Sequence, residues 1–483
     1  MEKHLLSKST FIRGVQCNKS LYLHKHRPFL RDRISPEQLA RFSRGTNVGL
    51  LAQNLFPGGI DCKPASPRHY TKSLEKTQQI IQEASADVIY EAVFQYHQVL
   101  IMLDALVHEN GSWNAYEVKS SLKISDTFLL DAALQYYVMK GAGLAIDRFY
   151  LVHLNPEYVR DSQLELHQLF TKIDVTDQIL LKQAFIAQKI DELIGVVGLT
   201  KSPEILIGTH CNLPYPCDFI GHCFKNVPAS SVLELTHWSE AEKFALYHSG
   251  TVTFSELNET DVQNPAQQIE LRSRQSGCEY FNNIGLNGFF NKVSEAPVFL
   301  SLLSHRQAVP EWKGYRSYDQ IPLSVGFGSA NENSSFVNDA EDSPDGRFFN
   351  FLQPLIATNE SIIVFDAARF KELLQRMAFR NSNMRQGTEA LAARIVDLKE
   401  VFSQMFYYNP QVVQDFSLLQ LSKILFGNSR ITEIAFTSDT LATVSYLKAD
   451  KPMDAATAQK LTAYSHGYQT MTEAFYKYLL EKL

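Results

Sequence analysis

The sequence predicts an α/β fold, sheets flanked by helices, in more than one domain. Three observations lead there. The chain has 483 residues, more than a single hydrophobic core usually organises. Between residues 87 and 120, three strand-like runs follow one another across short turns at His97-Gln98 and Asn110-Gly111, the spacing of a meander. Helical periodicity flanks those runs on both sides, and buried-strand patterns return among further helices in the second half.

Helical periodicity runs from about 9 to 55 and stops at the turn FPGG; a polar helix is expected over 73–84. Strands follow at 87–96, 99–108 and 113–120. The stretch DTFLLDAALQYYVMKGAG is an amphipathic helix closed by glycine, DRFYLVHL the next strand, and 176–193 another helix. These elements make a first domain over 1–225. Residues 226–290 have mixed, mainly helical character and are expected to connect it to a second domain over 291–483. There APVFLSLLSH and ESIIVFD are expected strands, GSANENSSFVNDAEDSPDG an exposed loop, and 367–379, 388–405, 417–425 and 454–483 helices.

Composition is that of a globular protein, 45% hydrophobic and 20% charged. No apolar run reaches the roughly 18 residues needed to cross a bilayer. The opening MEKHLLSKSTFIRG has no apolar core of a signal peptide, so the cytoplasm is the expected location. Net charge is −6, yet residues 1–50 hold ten Lys and Arg against three Asp and Glu. That patch is suited to a phosphate backbone, or is a solvated helical surface.

The chemistry concentrates in the hairpin LIMLDALVHENGSWNAYEVKSS. Side chains two apart on a strand share a face, so Glu117 and Lys119 point the same way and Asp104 can meet them across the ladder. Glu91, one strand earlier, can join them. Carboxylates gathered at one spot repel unless a cation holds them, and an all-oxygen set suits Mg²⁺ or Mn²⁺. Such an ion activates water and neutralises charge on a phosphate, and a nearby Lys orients the water or stabilises the transition state. The competing reading is a salt-bridge ladder on an exposed sheet face.

Asp104, then twelve residues, then Glu117-x-Lys119 resembles the D…E-x-K signature of the PD-(D/E)XK nuclease superfamily. DAALQYYVMKGAGL, with Gln135 followed by Tyr136, resembles the helix behind that signature in RecB-like nucleases. The resemblance implies a restriction-endonuclease-type core, a mixed sheet flanked by helices. It also implies Asp104 and Glu117 as metal ligands, Glu91 assisting, Lys119 acting on the water and Gln135 positioning substrate. The implied activity is phosphodiester hydrolysis, an exonuclease on single-stranded or end-bearing DNA, with a protein partner in DNA repair or defence. A non-catalytic module binding nucleic acid or a partner, and an RNA-processing enzyme, are the rivals.

Cys211, Cys217 and Cys223 crowd into HCNLPYPCDFIGHC, five residues between each pair, with Cys17 far upstream. A cysteine early and three after the core resemble the iron–sulfur subgroup, CRISPR-associated RecB-like exonucleases and AddB-type helicase–nucleases. That implies a [4Fe–4S] cluster on Cys17, Cys211, Cys217 and Cys223; four-thiolate zinc and unligated core cysteines are the alternatives. Cys62 and Cys278 are expected to fill core gaps.

The marks YRSYDQIPLSVGF, SIIVFDAARFKELL, RIVDLKEVFSQMFYYNP and DFSLLQLSKILF resemble a bacterial domain of unknown function found behind such nucleases, with an RNase H-like, DEDD-type fold implied. Its first strand supplies two carboxylate ligands in the family; here Ser301 and Leu303 stand at those positions. Asp397 is retained, Asp366 falls near a ligand position, and the late ligand falls near Tyr468. A hydroxyl and an isobutyl group cannot hold a divalent cation, so this domain is expected to be catalytically inactive.

Overall fold

A computed structural model of the chain describes residues 4–66, 69–412, 417–427 and 435–483. It has two units, one formed by residues 1–226 with 308–317, the other by 227–307 with 318–483. The division falls beside the expected boundary at 225, and the stretch 226–290 groups with the second unit. The fold is mixed α/β in both units. No helix among the described residues is long and apolar enough to cross a membrane.

The first unit opens with β1 (Leu6–Ser7), α1 (Lys8–Gln16), α2 (Asn18–His26) and α3 (Pro36–Ala52). The long helical stretch expected over 9–55 is thus broken into separate helices. Ser7 and Ser35 each close a capping box at the start of α1 and α3, and such caps define new starts within a periodic run. Then come β2 (Ile60–Asp61), α4 (Tyr70–Glu83), β3 (Val88–Tyr96), β4 (Val99–Glu109), β5 (Ser112–Lys119), α5 (Asp126–Gly141) and β6 (Ile146–Leu154). The unit continues through α6 (Leu166–Leu169), β7 (Phe170–Asp174), α7 (Thr176–Leu180), α8 (Gln183–Val197) and α9 (Ile220–Cys223). Strand β7 was not foreseen. Among the described residues the sheet order is β2-β3-β4-β5-β6-β7, with β1 parallel to the start of β4.

Helices α1, α2, α5 and α8 cover one face of this sheet, burying Phe11, Leu21, Leu134, Phe149 and Leu193 completely. Helix α4 covers the other, with Leu74 against Val93 and Leu100. In-and-out alternation fails at two points. Ile89 and Ala92 both face the larger core, as do Leu103 and Leu106. The switches fall at Glu91, whose φ of 50° is left-handed, and at Asp104. The β3–β4 ladder lapses between Tyr90↔Ala105 and Ala92↔Leu103.

The second unit holds α10 (Glu240–His248), α11 (Pro265–Ser276), β8 (Tyr280–Phe281), α12 (Asn283–Phe290), β9 (Val298–Arg306), β10 (Gln320–Gly328) and β11 (Asn333–Val337). Next are α13 (Pro344–Ile356), β12 (Ile362–Val364), α14 (Ala367–Arg380), α15 (Arg385–Ala393), β13 (Ile395–Asp397) and α16 (Glu400–Ser403). It ends with β14 (Tyr407–Tyr408), α17 (Leu418–Phe426), α18 (Asp439–Lys448) and α19 (Ala455–Leu480). Its sheet runs β11-β10-β9-β12-β13, antiparallel on the β11 side of β9 and parallel on the other.

The helix expected over 388–405 is corrected: a strand, β13, interrupts it. Ile395 to Asp397 pair with β12 and bury an apolar edge that a helix there would leave without a sheet partner. Likewise the expected exposed loop after Gly328 contains β11, which extends the sheet beside β10. The first residues of DFSLLQLSKILF, 415 and 416, lie outside the described residues. Cys62 is buried as expected; Cys278 is exposed instead, just past the left-handed Gly277 that ends α11.

Helix α19 lies so close on β10 that a Cβ added at Gly326 would overlap the carbonyl oxygen of Ser465. Backbone cannot yield there as a side chain can. Gly326→Ala is therefore expected to destabilise the second unit by about 1–3 kcal/mol, read as an earlier unfolding transition of that unit in urea.

Candidate functional site

The site of the first unit sits where β4 and β5 separate. Their ladder holds from Glu109↔Ser112 to Ala105↔Tyr116 and then stops, while β5 continues alongside β6 through Lys119↔His153. At the fork, Asp104 Oδ2 accepts the Val118 N–H at 2.6 Å in place of a backbone carbonyl. That bond turns the carboxylate toward the strand carrying Glu117.

Glu117 is almost fully buried. Its Oε1 receives two ammonium groups, Lys119 Nζ and Lys8 Nζ, both at 2.8 Å. Its Oε2 is buried with no hydrogen-bond partner. Lys119 also donates to Asp131 of α5 at 2.5 Å, and Lys8 to the Met102 carbonyl at 3.0 Å. One helical turn beyond Asp131, on the same face, Gln135 is wholly buried with neither end of its amide partnered. A buried amide left unpaired costs free energy, so each such group calls for a partner such as a water, an ion or a ligand.

The electrostatics follow from burial and proximity. Burial and the negative charge of Glu117 push the Asp104 carboxyl up to about 7. Burial also pushes Glu117 upward, but Lys119 and Lys8 more than reverse this and hold it well below the usual carboxylate range. Burial lowers the Lys119 ammonium; Asp131 and Glu117 outweigh that and raise it above the ordinary lysine value. One carboxylate is thus fixed as an anion beside a second that ionises near neutrality.

Of the residues singled out in the sequence, Asp104, Glu117 and Lys119 come together, with Gln135 on the helix above. Glu91 lies opposite Asp104 in register, but its carboxylate accepts Lys63 Nζ at 3.1 Å. Lys8 and Asp131 were missed. Lys8 belongs to the basic start of the chain, and nothing local marks it; Asp131 stands four residues before Gln135, a spacing that could have pointed to it.

The second cluster lies at the other end of α1. Cys17 caps that helix and lines a cavity together with Cys211, Cys217 and Cys223. None of the four thiols is in a disulfide. Burial raises those of Cys17, Cys211 and Cys223. The cysteine loop is held to α1 by Arg13–Asp218 at 2.5 Å and by Gln16, which donates to the carbonyls of His210 and Tyr215. Four thiols from two distant segments match the donor set of a four-thiolate metal or cluster. Among the described residues no three or more His, Cys, Asp or Glu side chains are drawn into metal-ligating geometry.

In the second unit, a cavity of about 450 Å³ lies between β9, the start of α14 and α19. Ser301 lines it, donating to the Ser465 carbonyl at 2.6 Å, and Leu303 is buried. Asp397 is turned to the backbone, accepting the amides of Asp366, Ala367 and Lys399 at 3.0 Å each. Asp366 and Tyr468 line the cavity.

Residues 298–417 match the model of a family described as a domain of unknown function, DUF2779. A solved structure titled "Crystal structure of SSO0001" aligns at 11% identity over 42% of this chain and 80% of that chain. Its TM-score is 0.20, and a likeness of that size carries no argument. No curated protein matches the chain.

The Asp104 carboxyl gives a pH-dependent expectation. It titrates at 3.8 in an ordinary setting and at about 7 here, so the folded state holds the proton more tightly than the unfolded one. Ionisation then costs the metal-free protein stability as pH rises through that window. Asp104→Asn abolishes the cost. Its unfolding midpoint in chelator should gain on the wild type between pH 4 and pH 7 and level off above; a constant offset would contradict the assignment.

Proposed function

We propose that the first unit is a divalent-metal-dependent nuclease of the RecB-like type, hydrolysing phosphodiester bonds of DNA that is single-stranded or has free ends. The observation that carries this is the pairing of Asp104 and Glu117 at the strand fork, with one buried Glu117 oxygen left unpartnered. Asp104 and Glu117 would hold Mg²⁺ or Mn²⁺. A bound ion of this kind lowers the pKa of water and neutralises charge on the phosphate.

The chain's own groups do the rest. Lys119, fixed between Glu117 and Asp131, presents a permanent positive charge at the edge of the carboxylate pair, where charge builds on the phosphate oxygens. The Gln135 amide offers a donor and an acceptor for water or substrate. Asp131 holds Lys119 and keeps it ionised. Glu91 could assist only on leaving Lys63. Cys17, Cys211, Cys217 and Cys223 would hold a [4Fe–4S] cluster, joining the N-terminal helices to the loop behind α8; zinc in the same thiols is the alternative. The second unit contributes no carboxylate at 301 or 303, and we assign it no catalytic step.

A second reading, a non-catalytic nucleic-acid-binding protein, draws on Lys8: its ammonium already takes Glu117 Oε1, next to where a metal would bind.

Labelled single- and double-stranded DNA, and RNA, incubated with Mg²⁺ or Mn²⁺ separate these readings. Wild-type protein should degrade DNA, and Glu117→Gln and Lys119→Ala should each slow it at least about a hundredfold. Undiminished cleavage by Lys119→Ala would remove the site; binding without cleavage would favour the second reading, and cleavage of RNA alone the RNA-processing one. Protein purified without oxygen should be brown and contain iron and sulfide, and Cys17→Ser should lower that content. A colourless protein with one zinc per chain would replace the cluster.

A further inference from the structure

We infer that helix α3 selects an unpaired strand for this site, with Phe42 stacking on a base and Arg41 taking its phosphate; the inference rests on the nuclease reading above. Helix α3 packs against β5 and meets its end at Gly45, where an added Cβ would lie 3.9 Å from Ser120 Oγ. Ser120 follows Lys119 directly. Positions 41, 42 and 45 share one helix face by their spacing of three and four. Arg41 and Phe42 therefore lie one helical turn from the contact with Ser120, at the end of the strand that carries the candidate catalytic lysine.

Neither side chain is buried. Phe42 leaves 57% of its surface exposed, and the helix buries only Val48 and Ala52. Arg41 is exposed and has no carboxylate partner among the described residues, and the same holds for Arg33 just before the helix. An exposed aromatic ring beside arginines without carboxylate partners has the make-up of a base-stacking platform on a cationic surface. It does fit a nucleotide whose base is out of the duplex, because a base offers its face only when unstacked. The excess of positive charge over residues 1–50 complements a polyanion and opposes a basic partner.

Fluorescence anisotropy tests this without turnover. A 5′-labelled 20-nucleotide single strand and the matching blunt duplex are titrated in EDTA with wild type, Phe42→Ala, Phe42→Tyr and Arg41→Glu. Phe42→Ala should weaken single-strand binding roughly tenfold and leave duplex binding unchanged, Phe42→Tyr should restore it, and Arg41→Glu should weaken both and flatten the salt dependence. Thermal unfolding at the wild-type midpoint shows that the variants are folded. Cleavage of DNA by the wild type together with unaltered binding by both Phe42→Ala and Arg41→Glu overturns this proposal alone. Absence of both cleavage and binding in the wild type removes the nuclease reading beneath it. A wild-type dimer that Phe42→Ala converts to a monomer assigns the face to a second copy of the chain, and also overturns it.

Discussion

Where β4 and β5 part, a backbone amide that would ordinarily meet a carbonyl meets the carboxylate of Asp104. Much of the first unit is arranged around this substitution. It satisfies a strand amide at a point where the ladder has ended, and it anchors one acidic group beside another in a poorly solvated place. Two buried carboxylates would drive the chain apart without compensation. Lys119 comes from the same strand as Glu117, Lys8 from the first helix, and Asp131 from α5 to share the load of Lys119. Three carboxylates face two ammonium groups, and the proton that Asp104 retains up to about pH 7 brings the cluster close to electrical balance.

The second unit solves the corresponding geometry differently. There too a strand faces the last helix, but hydroxyls occupy the contact. Ser301 and Ser324 both bond to Ser465, and Gly326 lets the helix backbone approach. Asp397 is consumed in holding the turn into α14. Neutral groups closed on one another need no counter-ion, whereas the buried Glu117 of the first unit is held by two lysines.

The strands of the central hairpin were legible because alternation and an Asn-Gly turn are strong local signals. So was the shared face of Glu117 and Lys119, which needs only the two-residue repeat. That Glu91 lies one strand before Asp104 was legible; its partner was not, since Glu91 sits in a left-handed conformation where the ladder lapses and its carboxylate pairs with Lys63. Lys8 was invisible, being 109 residues from Glu117; only the parallel pairing of β1 with β4 brings it there. The short strands β7, β11 and β13 were missed for a related reason. Three to five residues beside an existing edge take their conformation from the neighbour, and their own pattern carries little weight against a helical surrounding.

Helix α1 touches both clusters, Lys8 at its first residue and Cys17 at its cap. Its far end is tied to a loop nearly two hundred residues later. Pairings at such separation close late when a chain folds. A chain emerging from the ribosome would hold its carboxylates and α5 well before the loop that seats α1 has been made. In a growing polypeptide, the acidic pair would therefore take its second lysine once β1 reaches β4, while the far end of α1 waits for the cysteine loop.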